Sequence, residues 1–228
     1  MKTEVIGTNA YQSLKVDLEP GEVFLSEAGK MVRASREIEI DVTMRKKEGG
    51  GIMSGLKRLL SGDSFFFARY TAKAQGGEVV ISPTLVGNVK VIDLKGDTWF
   101  CPGGAFLACS EKVSADPVWQ GMKGLFSGEN MVFIKSSGEG FLALEAFGVI
   151  TPMQVDGEFV VDTGHVVAFQ DSLTYEIGRP AGAGWITTYL SGEGLIIRFK
   201  GHGTVYIQSH NGTAFGQELG PDLPKRKG

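Results

Sequence analysis

The sequence contains an internal repeat, and this feature limits the possible folds more than any other. Residues 55–63 read GLKRLLSGD and residues 121–129 read GMKGLFSGE, with five identical residues in nine positions. A weaker copy, longer by one residue, occupies residues 184–193. A repeat of this kind predicts one structural unit that the chain uses three times.

Two short apolar runs separated by glycine follow each copy of this segment. Such runs, bounded by glycine, are typical of strands joined by tight turns. We therefore predict a β-hairpin after each copy. The paired runs are 65–70 with 78–81, 131–134 with 141–144, and 195–199 with 204–207.

The other half of each unit repeats as well. In each unit an acidic turn is followed by a glycine that precedes another apolar run, at Gly29, Gly104 and Gly164. The sequence thus predicts an all-β fold of three units in a pseudo-threefold arrangement. The predicted units are 11–83, 88–146 and 150–210 in one domain of residues 1–218, followed by a flexible tail of residues 219–228. Single helical turns are predicted only at 55–60 and 121–126.

Composition excludes several classes of protein. Hydrophobic residues make up 42% of the chain and charged residues 21%, which is typical of a folded globular protein and not of a disordered one. The net charge of -3 gives no basic field that would attract nucleic acid or an anionic membrane. No apolar run approaches the roughly 20 residues that a transmembrane helix needs.

The cysteines and the start of the chain indicate a reducing compartment. Cys101 and Cys109 are predicted as buried thiols, with a disulfide across a hairpin as the alternative. No apolar run follows the basic start of the chain, so we expect no secretory signal. A cytoplasmic protein is expected, either free or peripheral to a membrane.

The order and spacing of four segments resemble the altered-inheritance-of-mitochondria family over about residues 5–215. These segments are 55–63, 96–108, 138–142 and 201–205. The resemblance implies an antiparallel β-sandwich or double-stranded β-helix unit, like that of the tryptophan RNA-binding attenuator protein, repeated three times in one chain. Mitochondrial members of the family are associated with organisation of the inner membrane. The resemblance implies no catalytic residues.

The residues that common catalytic and metal sites require form no recognisable pattern. The three histidines, His165, His202 and His210, have a spacing that matches no metal signature. The nucleophile motif Gly-x-Ser-x-Gly is absent. The glycine-rich residues 49–57 do not complete the pattern of a phosphate-binding loop. We therefore predict no catalytic, cofactor or metal site.

Two apolar patches with basic neighbours are candidate contacts for a partner or a membrane surface. Short apolar segments beside lysine and arginine can lie at an anionic interface, and they can equally pack between repeats or between subunits. The candidate residues are Ile52, Met53, Leu56, Lys57 and Arg58 in the first patch and Trp119, Met122 and Lys123 in the second.

Two functions from different classes fit these observations. The favoured one is a non-catalytic scaffold or interaction protein that associates with itself, or with a protein partner, through strand edges left open by the repeat. The alternative is a module that binds a small apolar ligand or a lipid in a cleft lined by Trp99, Trp119 and Trp185. RNA binding by aromatic and basic residues ranks below both, since the protein is acidic.

Overall fold

The part of the protein that a computed structural model describes is all-β, with antiparallel strands and one short helix. The structure describes residues 1–43, 67–120, 131–178 and 195–224. Its strands form a sheet of four strands and a larger sheet of eleven. The predicted all-β class is therefore confirmed. The strands are β1 (Lys2–Thr8), β2 (Tyr11–Leu18), β3 (Val23–Glu27), β4 (Met31–Ala34), β5 (Ile38–Thr43), β6 (Phe67–Ala72), β7 (Gly77–Ile81), β8 (Val89–Pro102), β9 (Phe106–Ser110), β10 (Val113–Gln120), β11 (Met131–Glu145), β12 (Ile150–Asp162), β13 (Val166–Gln170), β14 (Thr174–Gly178) and β15 (Ile196–Gln208).

Alternation of apolar and polar residues explains how a strand such as β2 forms. Leu14, Val16 and Leu18 are at most 4% exposed, and each contributes roughly 1.5–3 kcal/mol by leaving water. Lys15 and Asp17 lie on the opposite, more exposed face, where their charged groups are 3.1 Å apart. A period of two with one buried face is the pattern of an antiparallel strand beside a core.

The first part of the chain alternates between the two sheets. β2 pairs with β7 in the four-stranded sheet, and β3 pairs with β6 in the larger sheet. β4 then pairs with β7, and β5 pairs with β6. Because β6 and β7 lie in different sheets, the predicted hairpin of residues 65–70 with 78–81 is wrong. The chain crosses between sheets there and does not reverse.

The two later predicted hairpins are also wrong, since each is one long strand. β11 contains both 131–134 and 141–144, and β15 contains most of 195–199 together with 204–207. In β11, Gly138 and Gly140 have φ values of 125° and 131°, and the pairing with β8 shifts by a β-bulge there. A bulge with positive φ bends a strand without reversing it, so glycine here is not a hairpin signal.

Three clusters of buried apolar side chains form the core. One joins β2, β6 and β7 to β9, with Phe24 stacked on Tyr70 at a centroid distance of 4.7 Å. The second lies on β8, β9 and β11, and the third surrounds Phe169. Cys101 and Cys109 are buried in the second cluster and form no disulfide, so the disulfide alternative is wrong. Each cluster takes residues from more than one part of the chain, so the parts stabilise one another.

A short helix, α1 (Gly212–Leu219), lies near the end of the chain and was not predicted. The Asn211 side chain caps it by accepting hydrogen bonds from the backbone N–H groups of Thr213 and Ala214. The predicted helical turns at 55–60 and 121–126 lie outside the described residues. A 3-10 turn at Gly220–Asp222 follows α1 at the start of the predicted tail. No helix in the described ranges is long and apolar enough to cross a membrane.

Gly87 joins three parts of the chain through backbone contacts. It forms isolated parallel bridges with Tyr11 on one side and Gly148 on the other. The N–H of Gln12 donates to the Gly87 carbonyl at 3.2 Å. A Cβ atom at this position would overlap the backbone carbonyl of Ala146. Only glycine therefore fits where these segments meet.

Replacement of Gly87 by alanine is expected to lower the free energy of unfolding by about 3 kcal/mol, because the added methyl group must displace bridged backbone. Gly178→Ala is the matched control, since a Cβ there meets no atom within 4 Å. Urea unfolding followed by tryptophan fluorescence measures both variants. Equal stability of the two variants would contradict this assignment.

Candidate functional site

Most residues of the two predicted apolar patches lie outside the described residues. These are Ile52, Met53, Leu56, Lys57 and Arg58 of the first patch, Met122 and Lys123 of the second, and Trp185 of the predicted pocket. Trp119 belongs to β10, where its backbone pairs with Val132 of β11. For all of these residues, the proposed contacts with a partner, a membrane or a ligand stay predictions.

Trp99 is part of the core. Its side chain is 4% exposed and stacks on Tyr206 with the ring centroids 5.4 Å apart. The indole N–H donates to a carboxylate oxygen of Asp97 at 2.7 Å. The pKa of Asp97 is lowered by the backbone N–H of Lys95 and also by this indole, while burial opposes them. Trp99 is thus held by packing on one side and by a charged hydrogen bond on the other.

The histidines and cysteines take part in local structure. His165 contacts the Gln208 carbonyl at 2.8 Å, and the exposed His202 lies 2.9 Å from Asp156. The exposed His210 contacts the Ser209 hydroxyl at 2.8 Å. No group of metal-ligating side chains is found in the described ranges. Burial raises the pKa of the Cys101 thiol far above its usual range, so this residue is no thiolate nucleophile at neutral pH.

The aromatic and basic side chains that RNA binding would use include Phe67, Arg69 and Lys73 among the described residues. Phe67 is 1% exposed and meets Phe106 edge to face. The Arg69 guanidinium donates to the Glu111 carboxylate at 2.7 Å. The Phe67 ring is therefore not available for stacking on a base in this conformation, while the ion-paired Arg69 side chain is 38% exposed.

A buried ion cluster lies where the first part of the chain meets the second. The Lys30 ammonium donates to Glu145 at 2.6 Å and to the Thr84 hydroxyl at 2.7 Å, and it lies 3.1 Å from Glu27. Lys30 is 8% exposed and Glu145 is 7% exposed. Lys30 immediately precedes β4, and Glu145 is the last residue of β11. The ion cluster therefore fixes the start of β4 against the middle of the molecule.

Burial and charge oppose each other at this cluster. Burial raises the pKa of Glu145, Lys30 lowers it, and the balance places it at about 7. Burial lowers the pKa of Lys30, but hydrogen bonds and charges from Glu145 and Glu27 outweigh it and raise that pKa above its ordinary value. The lysine thus stays charged while the carboxyl group of Glu145 titrates near neutrality.

Replacement of Lys30 by methionine is expected to lower the free energy of unfolding by about 3–5 kcal/mol, because it leaves buried Glu145 without a cation. Adding Glu145→Leu to the same chain should recover most of that loss. The matched control is Lys15→Met, since the Lys15 side chain is 23% exposed and its ion pairs are screened by solvent. Urea unfolding measures all three, and a double variant as unstable as Lys30→Met alone would contradict this account.

A cleft of about 530 Å³, which we call the amino-terminal cleft, lies between the start of the chain and strands β8 and β11. Burial works to raise the pKa of Glu22 in this cleft. Hydrogen bonds from the Met1 amino group and the Glu19 N–H outweigh burial and hold that pKa below its usual value. The cleft carries more negative than positive side chains. Its charged side chains are Glu22, Asp93, Glu111, Lys112 and Glu139.

Several edge strands of the described chain expose apolar residues; on β5, the last strand at the other end of the larger sheet, Val42 is 70% exposed. Two further edges do so on β4 and β12. β4 is the last strand of the four-stranded sheet, and Met31 and Val32 on it are 45% and 59% exposed. β12 is the last strand of the larger sheet, and Val160 on it is 47% exposed. Among the described residues, no strand pairs with the outer side of either one. We call these the β4 edge and the β12 edge.

Strands β9 and β13 follow a glycine turn as β4 does, but they are buried. Phe106 and Leu107 at the start of β9 are 0% exposed, and Val166 and Val167 at the start of β13 are 3% and 0% exposed. β9 is covered by its pairing with β3, and β13 by its pairing with β8. These pairings involve the later residues of each strand, Ala108–Ser110 of β9 and Phe169 and Gln170 of β13. Among the described strands, β4 has no corresponding neighbour, and it is the exposed member of the three.

Sequence reasoning predicted open strand edges but did not locate them on β4 and β12, and it did not find the ion cluster. The sequence holds one signal for the β4 edge, the alignment of the repeats. Met31 and Val32 follow Gly29 at the same spacing as Phe106 and Leu107 follow Gly104. The exposure itself depends on pairing between distant strands, which no local pattern records. For the ion cluster, 115 positions separate Lys30 from Glu145.

Comparisons with known proteins agree in family and fold. The family model described as mitochondrial biogenesis AIM24 matches residues 3–210. An uncharacterized protein of Streptococcus pyogenes is 30% identical over 217 residues, which are 92% of this chain and 86% of that protein. An X-ray crystal structure of a protein from the same species has a TM-score of 0.81 and 26% identity to this chain, and the match covers 97% of this chain and 99% of that one.

Proposed function

The chain belongs to the mitochondrial biogenesis AIM24 family, and on that basis we propose that it is a non-catalytic scaffold that assembles from copies of itself. The exposure of apolar side chains on the β4 edge carries this proposal. Met31 and Val32 are 45% and 59% exposed, while Phe106 and Leu107 at the matching distance from a glycine turn are 0% exposed. An apolar strand edge of this kind is a site for pairing with another strand.

A chain built of three similar β units accounts for the contrast between the exposed residues of β4 and the buried residues of β9. Strands β4, β9 and β13 each carry a register irregularity around their second residue. A similar turn follows β4 and β13, in which the N–H of Ile38 donates to the Ser35 carbonyl and that of Leu173 to the Gln170 carbonyl. These features support the unit boundaries 11–83, 88–146 and 150–210. The attenuator-like form of the unit remains a prediction from the family resemblance.

A pseudo-threefold arrangement closed within one chain would require β12 to pair with β4. The first unit pairs with the second through β3 and β9, and the second pairs with the third through β8 and β13. The described residues of β4 and β12 form no third pairing of this kind. We therefore propose that β12 pairs with β4 of another chain, and that this contact takes the place of the third pairing.

The positions of two groups with strongly raised pKa values support a non-catalytic role. Burial raises the pKa of Cys101 in the core and that of Glu145 in the ion cluster. Neither residue lines the amino-terminal cleft. Catalytic groups need their altered pKa at a place that substrate can reach.

The amino-terminal cleft supports a second candidate function, binding of a small ligand. Its volume of about 530 Å³ lies within the usual range for ligand sites. Three of its four carboxylates are already ion-paired, Glu22 with the Met1 amino group, Asp93 with Lys95 and Glu111 with Arg69, so this charged lining favours a polar ligand of no particular charge. This differs from the apolar ligand or lipid that the tryptophans suggested.

Native mass spectrometry of gently purified protein is expected to show multiples of the 24.5 kDa chain. Val32→Asp should shift the mass toward the monomer, with association weakened at least about tenfold, because a carboxylate at a buried edge costs more than about 1.4 kcal/mol. Val42→Asp is the matched control: Val42 is 70% exposed on β5, and that substitution should leave the mass unchanged.

A monomer for the unmodified chain at all concentrations would contradict the scaffold proposal. A small mass retained on that monomer would favour the ligand-binding candidate.

A further inference from the structure

We propose that the β12 edge of one copy pairs antiparallel with the β4 edge of a second copy of this chain, with Val160 opposite Ala34. This inference rests on the proposed self-association and specifies its surface. It requires no rearrangement of the described strands, because both edges are already extended and open on their outer sides.

Two pairings inside the chain define the geometry of the contact. Leu25 of β3 lies opposite Cys109 of β9, and Phe100 of β8 lies opposite Phe169 of β13. Leu25 is 5% exposed, while Cys109 and Phe169 are 0% exposed. The rings of Phe100 and Phe169 stack with their centroids 5.4 Å apart. In both cases, the pairing places an apolar pair in the core.

The position of each pair relative to a turn glycine identifies the third pair. In both internal pairings, one residue lies five positions after a turn glycine and the other lies four positions before one. Ala34 is the fifth residue after Gly29, and Val160 is the fourth residue before Gly164. The register of the two internal contacts therefore places Ala34 and Val160 opposite each other.

The backbone groups of both edges agree with this register. The N–H of Ser35 donates to a β7 carbonyl at 2.8 Å, so the N–H of Ala34 points away from β7. The N–H of Thr163 donates to the Leu195 carbonyl at 2.8 Å, and alternation along β12 then directs the N–H of Val160 outward. Ala34 and Val160 can thus exchange two backbone hydrogen bonds as a pair. If the register shifted by one residue, the outward-pointing backbone groups of one strand would meet residues of the other strand whose backbone groups point inward.

Charge at the end of the contact favours a second copy over an unrelated partner. In the internal contact of β8 with β13, the N–H of Asp171 donates to the Thr98 carbonyl at 3.1 Å. The corresponding residues at the proposed contact are Arg36 and Glu158, which are both exposed. An arginine opposite a glutamate stabilises a strand pair and rejects a shifted register.

The contact joins different edges, so it continues from copy to copy. Each chain has one β4 edge and one β12 edge, and a pair formed with one neighbour leaves the other edge open. Such a head-to-tail contact gives a closed ring when the rotation between copies closes and an open filament when it does not.

Cysteine cross-linking in the full chain tests the register. Ala34→Cys and Val160→Cys are prepared as separate variants, mixed, oxidised mildly and quenched with an alkylating reagent before denaturation. Opposed strand residues have a separation that a disulfide can bridge. We expect a covalent dimer in the mixture and none with either variant alone. Val42→Cys mixed with Val160→Cys is the matched control, and the native Cys101 and Cys109 are buried.

Each outcome separates this inference from the proposed function. A cross-linked dimer specific to the Ala34→Cys and Val160→Cys mixture supports the inference. An oligomer that gives no such dimer overturns the register and leaves the scaffold proposal standing, provided that circular dichroism shows both variants folded. A doubly substituted chain that cross-links only within itself overturns the contact between copies. A monomer without cross-links overturns both.

Discussion

Pairing of strands between neighbouring parts of the chain is the interaction on which the rest of the structure depends. β3 covers β9, and β8 covers β13, and both covered strands lie in the core. A buried backbone group without a partner costs about 1–3 kcal/mol, so strands of this kind are stable inside the protein only when a neighbour pairs with them. β4 pairs with β7 on one side, and no described strand pairs with its outer side; Met31 and Val32 on it remain exposed to solvent.

The ion cluster determines where the β4 edge begins. Lys30 precedes β4 and is held by Glu145 at the end of β11, a residue of the central part of the chain. A buried ion pair contributes little net stability compared with an apolar pair of the same size, but it penalises a shifted position strongly. The proposed role of Lys30 and Glu145 is therefore to fix the orientation of the β4 edge, while the apolar clusters provide most of the stability.

The all-β class was predictable because many short apolar runs end at glycine. The hairpins were not, because Gly138 and Gly140 bend one continuous strand, and a glycine that bends a strand looks the same in sequence as one that reverses it. The helix α1 was missed because Asn211 and Gly212 favour a turn as well as a helix cap. The two edges could not be predicted from local patterns, since exposure of Val160 depends on a neighbour far away in sequence or in another chain.

Hydrogen–deuterium exchange of the unmodified full chain, measured by mass spectrometry above and below the concentration at which it associates, tests the central claim most directly. Pairing between copies predicts slower exchange at high concentration for the amides of Met31–Ala34 and of residues 158–162, with no change in β5, an edge that the proposed contact leaves open. Exchange that is independent of concentration in β4 and β12, while the chain is oligomeric, would contradict the assignment of these two edges.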